Sequence, residues 1–131
     1  MAVLSESRTR QQARPDDLRP RLEEAFALSC QMNDPCWEGA VARALALTYA
    51  VQGALVPAME WLGEARRRCM RDTDSYAGLQ VEILASQVEI NLNLGQPETA
   101  DAIAREWLAL AARTHRDAHV VRAAAFIAQR N

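Results

Sequence analysis

The sequence predicts an all-α fold: about six helices, arranged as stacked antiparallel hairpins. Two observations carry this. Alanine is abundant and β-branched residues are sparse, which favours helix because alanine loses no side-chain entropy there. Apolar residues also recur at helical spacing between prolines and glycines that punctuate the chain.

Taken in order, residues 1–14 are polar and basic and are expected to form a flexible lead to one domain spanning 15–131. Pro15, Asp16 and Asp17 open the first helix, because acidic groups favour the positive end of the helix dipole. It is expected to end near Met32 to Asp34, before Pro35. The second helix runs from about Cys36 to Gln52 and stops at Gly53. The third begins near Val56, where Pro57 is tolerated in the first turn, and ends near Met70. The fourth spans roughly Ser75 to Leu94, capped by Asp72 or Asp74 and ended by Gly95. The fifth covers Pro97 to Arg113, and the sixth runs from about Ala118 nearly to the end. Short connections make each helix antiparallel to the next.

A repeated skeleton sharpens this reading. LTYAVQGALVPAMEWLGEA and EINLNLGQPETADAIAREW stand forty-two residues apart with glycine and alanine at matching places. With Gly53 set over Gly95, Ala42, Leu45, Ala46 and Tyr49 face Leu84, Gln87, Val88 and Asn91. Downstream, Ala58, Leu62 and Ala65 face Ala100, Ala104 and Trp107, and Glu64 faces Glu106. Glycine permits the tight turn, and alanine lets the helix backbones touch. A lone hairpin cannot bury its apolar face, so hairpins stack into a continuous core.

Tyr49, Gly53 and Ala58, with the apolar residues around them, resemble a tetratricopeptide repeat. The second copy keeps Leu84, Gly95 and Ala100 but carries Gln87 and Asn91 in place of leucine and tyrosine. The spacing exceeds the usual ~34 residues, and the closing proline is absent. The likeness is to the longer-spaced arrays of bacterial transcriptional regulators and signalling ATPases. It implies a right-handed solenoid, a role in protein–protein interaction and a groove lined by the first helix of each pair. Groove positions carried over include Arg43 and Leu47 in the first copy and Glu82, Glu89 and Asn93 in the second. These side chains suit a protein or peptide partner; the alternative is a peptide- or small-molecule-sensing domain.

The formal net charge is −2 and all 15 basic residues are arginine. No global field attracts nucleic acid, and no P-loop or lysine chemistry is available. No nucleophile–base pair stands out, so the expectation is a protein that is not an enzyme and has no cofactor. His115 and His119 are spaced for one helix face but straddle a turn without a third ligand, so no metal is expected. Cys30, Cys36 and Cys69 are read as reduced structural thiols; Cys69 matches Ala111 as a small packed residue. With no secretory or membrane-spanning pattern, the expected location is the cytoplasm. Arg66, Arg67, Arg68 and Arg71 read as a solvated helix end, and Trp37, Trp61 and Trp107 as core.

The last helix is apolar nearly all round, with Val120, Val121, Phe126 and Ile127 among its large residues. The ends of a stack normally present a polar outer face. The first helix is expected to do so and the last is not, which points to a homodimer or another partner packing on the C-terminal helix.

Overall fold

The computed structural model describes residues 15–71 and 75–130. Six helices follow one another: α1 Pro15–Gln31, α2 Pro35–Val51, α3 Leu55–Cys69, α4 Ala77–Asn93, α5 Pro97–Arg113 and α6 Asp117–Arg130. There is no strand among the described residues. None of these helices is long and apolar enough to cross a membrane. The expected lead over residues 1–14 and the expected caps Asp72 and Asp74 lie outside the described residues.

Four of the five connections are the same three-residue turn. Its middle residue is left-handed: Asn33 (φ 54°), Gly53 (81°), Gly95 (74°) and His115 (59°). The next N–H reaches back to a carbonyl in the last turn of the preceding helix. Asp34 donates to Ser29 at 3.2 Å, Ala54 to Tyr49 at 3.0 Å, Gln96 to Asn91 at 2.9 Å and Arg116 to Ala111 at 2.8 Å. This is a Schellman closure, which satisfies carbonyls that the helix end leaves free. The two glycine turns expected from sequence are therefore half of a set. The others use asparagine and histidine, residues that adopt the left-handed region more readily than most.

Starts follow at the same interval as a result. Helices begin at residues 15, 35, 55, 77, 97 and 117, with one longer step at the α3–α4 connection. Pro35 opens α2 as its first residue, and Asp34 caps it by accepting the N–H groups of Cys36 (3.1 Å) and Trp37 (3.3 Å). A proline at the first helical position forfeits no intrahelical hydrogen bond.

Each helix packs on the next, and α2 also meets α4. Two apolar clusters share α4 as their common wall. Ile83 and Ile90 join Ala42, Ala46, Ala58, Leu62, Ala65 and Cys69 on one side. Val81, Leu84, Ala85 and Val88 join Ala100, Ile103, Ala104, Trp107 and Ala123 on the other. At the crossings, Ala58, Ala65 and Cys69 of α3 and Ala100, Ala104 and Ala111 of α5 are all fully buried. The match of Cys69 with Ala111 holds. The edge of Phe26 on Trp61, centroids 5.1 Å apart, docks α1 against α3.

Three expectations need correction. Trp37 is 61 % exposed at the start of α2, and Trp61 is half-buried; only Trp107 is core. The first helix does not present a purely polar face, since Leu18 and Leu28 are exposed on it and Met32 is exposed just after it. The arginines after Glu64 are not simply a solvated helix end, because two of them hold a buried carboxylate.

Candidate functional site

That carboxylate is Glu38, 1 % exposed in the first turn of α2. Arg68 donates to its Oε1 at 2.8 Å, and Arg71 donates to the same oxygen. Arg68 also bonds Glu64 at 3.0 Å and lies over the Phe26 ring. The bond to Glu38 holds the Arg68 proton more firmly than usual, against the effect of burial. Hydrogen bonds from Arg67 and Arg68 hold the Glu64 carboxyl below its ordinary range, while its partial burial works the other way. A buried ion pair is strongly destabilised when one partner is removed, because the other charge remains without compensation.

Moving the glycine register along by one copy takes Glu38 to Gln80, Arg68 to Leu110 and Arg71 to Arg113. Here the space is open. A cleft of about 240 Å³ lies between α3, α4 and α5, bordered by Arg66, Met70, Gln80, Glu106, Leu110 and Arg113. Arg66 is paired with Glu106, and Gln80 Nε2 is buried without a partner.

On another face, polar contacts run across alternate helices. Arg43 of α2 pairs with Glu82 of α4 at 3.4 Å. Glu82 Oε1 lies 2.9 Å from His119 Nε2 of α6. His119 Nδ1 accepts from the Trp107 indole N–H at 3.0 Å. An indole nitrogen can only donate, so Nδ1 carries a lone pair and the proton sits on Nε2, facing Glu82. Below this line, Val88, Glu89, Leu92, Trp107, Arg122 and Phe126 border a second cleft between α4 and α6.

The sequence-derived groove residues are thus only partly brought together. Arg43 and Glu82 are engaged with each other. Glu89 borders the α4–α6 cleft. Leu47 is half-buried on α2, and Asn93 is exposed at the end of α4. On α6, Val120, Phe126 and Ile127 pack partly buried against the second cluster, whereas Val121 is 68 % exposed. Val120, Ala123, Phe126 and Ile127 are thus used within the chain, while Ala118, Val121, Ala124, Ala125 and Ala128 stay exposed.

His115 occupies the left-handed turn position and His119 the contacts just given. No group of three metal-ligating side chains exists among the described residues. The three cysteines are free. Burial pushes the Cys69 thiol up to about 11, and the neighbouring Cys36 acts in the same direction.

Sequence reasoning missed three participants. Glu38 carried no motif, although an acidic residue one turn after a proline start was visible. Gln80 was visible only through its register with Glu38. Arg122, the one charge among the apolar residues of the last helix, lies over the Trp107 ring at 5.2 Å.

No family model, curated protein or solved structure matches this chain.

Proposed function

We propose that the chain is a non-catalytic helical-repeat module, a tetratricopeptide-like right-handed stack that binds a protein or peptide partner. The partner lies along the face shared by α2, α4 and α6, where Arg43, Leu47, Glu82, Glu89 and Asn93 supply polar and apolar contacts. The carrying observation is the line Arg43–Glu82–His119, which ties three alternate helices edge to edge. Beside it runs the cleft of Val88, Leu92, Trp107 and Phe126, rimmed by Glu89 and Arg122. An apolar floor with opposite charges on its rim suits an amphipathic helix or an extended peptide. The resemblance extends this reading to a bacterial regulatory system in the cytoplasm, without cofactor and with no contact to nucleic acid.

Capture from lysate by wild type, Leu92→Asp and Glu89→Arg tests the reading. A partner held by wild type and lost with both variants supports it. A partner retained by both variants overturns the assignment to this face. A ligand-sensing role for the same face is the alternative. It predicts a thermal shift with a small molecule that Leu92→Asp abolishes.

A second contact is the outer side of α6, where Val121 stands exposed with Ala124, Ala125 and Ala128. A homodimer through this side predicts a concentration-dependent mass by light scattering that Val121→Asp removes. A strictly monomeric chain defeats it.

A further inference from the structure

The hairpins α1–α2 and α5–α6 match residue for residue. Their helices start at Pro15 and Pro35 in one and at Pro97 and Asp117 in the other, and their left-handed turn residues are Asn33 and His115. A single offset relates all three pairs. On the second hairpin, α4 lies across the matched face: Val81, Leu84, Ala85 and Val88 share a cluster with Trp107, Leu110, Ala111 and Ala123, and Glu82 meets His119. The corresponding residues of the first hairpin are Ala25, Leu28, Ser29, Val41 and Trp37. Together with Met32 they border an apolar hollow of about 340 Å³. Leu28 and Trp37 are exposed there, whereas Leu110 is buried and His119 half-buried. The hollow is therefore the place that α4 fills on the other hairpin.

The face that fits this place stands at the opposite end of the chain. Counted from the first residue of each helix, Val81, Leu84, Ala85 and Val88 of α4 correspond to Val121, Ala124, Ala125 and Ala128 of α6. The α4 set is buried and the α6 set exposed. The same correspondence takes Glu82 to Arg122, opposite Trp37 in place of His119. An ion-pairing contact within the chain thus becomes an arginine facing an indole ring, which is also attractive. One chain carries both unused halves of a contact that it makes within itself.

We propose that copies of this chain associate head to tail, the outer face of α6 in one copy filling the α1–α2 hollow of the next. The proposal rests on the reading of that α6 side as a self-association surface and names the surface that receives it. Such a contact joins two different patches, so each added copy leaves one hollow and one α6 free, and growth continues past a pair.

The test is light scattering over a range of concentrations on wild type, Leu28→Asp, Val121→Asp and an equal mixture of the two variants. Both side chains are exposed, so neither change enters the core; circular dichroism checks that each variant folds. The wild-type mass is expected to rise beyond that of two chains. Each variant alone should keep the one-chain mass, because each lacks one half of the contact. Their mixture should reach the two-chain mass and stop, since one variant supplies an intact hollow and the other an intact α6. Self-association by Leu28→Asp alone, or a wild-type mass that stops at two chains, overturns the proposal and leaves a symmetric α6 homodimer standing. A mixture held at the one-chain mass while wild type associates overturns it as well. Wild type at the one-chain mass throughout overturns both readings, and it needs no variant to decide.

Discussion

Glu38 and Gln80 hold matched places at the starts of α2 and α4, yet one is a buried, doubly paired anion and the other borders an open cleft. The backbones differ little there, since both helices run 17 residues and end in the same kind of turn. What differs is side-chain chemistry and the helix lying across the top. In the first set Cys30 and Asn33, from α1 and the turn after it, approach the two arginines; in the second the connection before α4 is longer. A repeated scaffold therefore does not repeat its polar interior. It repeats the turns and the small crossing pairs Ala58/Ala100 and Cys69/Ala111, and leaves the ends of the hairpins free to specialise.

The largest test removes the anion. Glu38→Ala takes the shared carboxylate from Arg71, which is partly exposed, and from Arg68, which keeps Glu64, and is expected to lower unfolding free energy by about 2 kcal/mol in urea. Gln80→Ala should cost less than about 1 kcal/mol. Equal losses would erase the distinction between the two sets.

Next comes the close approach of α2 and α3. A Cβ built on Gly39 would stand 2.5 Å from Cys69 Sγ and 3.3 Å from a Leu79 methyl. Gly39→Ala should therefore cost about 2 kcal/mol through overpacking. Much of that should return in the double variant with Cys69→Ala, which vacates the sulfur. The matched residue in α4 is Val81, 1 % exposed, so the second set already accommodates a larger side chain there. Failure of the double variant to recover would place the strain elsewhere.

Turn swaps have a smaller effect. Gly53→Ala and Gly95→Ala each place a Cβ on a left-handed residue in open space. Backbone strain alone should cost about 1 kcal/mol by thermal unfolding. His115→Gly, which relieves that strain but frees the unfolded chain, should change stability by less than about 0.5 kcal/mol. A large loss in the last case would mean that the imidazole itself holds the turn.

The smallest effect concerns Glu64. Its carboxyl is depressed by Arg67 and Arg68. The folded state therefore binds this proton less readily than the unfolded state. Glu64 contributes stability above the ordinary carboxylate range and loses it as pH falls through its depressed value. Wild type should exceed Glu64→Gln by less than about 1 kcal/mol near neutral pH, with the gap closing in acid. A gap that widens in acid contradicts the assigned direction.

The parts of this structure legible in the sequence are those set by local chemistry. Helix bounds agree within about two residues, the margin by which helix ends ordinarily differ, because prolines and glycines mark them. Ala58, Ala65, Ala100 and Ala104 betray the crossings by their size. Asn33 and His115 were overlooked because asparagine and histidine serve many roles besides a left-handed turn. Trp37 and Leu28 went unnoticed as exposed residues because which face of a helix is covered depends on its neighbours, not on its own periodicity. Arg43 and Glu82 were placed as groove contacts one by one; that they meet each other is a product of how α2 lies on α4. Glu38 is the clearest case. Nothing within α2 shows that two arginines from beyond Glu64 reach back to it, since that contact forms only once α3 has folded against α2.

The central claim is that hairpins stack so that alternate helices lie side by side, α2 by α4 and α4 by α6. A nuclear Overhauser spectrum of the labelled full chain tests it most directly. The account predicts cross-peaks from Arg43 to Glu82, from Glu82 to the His119 ring and from Phe26 to Trp61. Their absence, or strand-type contacts anywhere between residues 35 and 113, would contradict it.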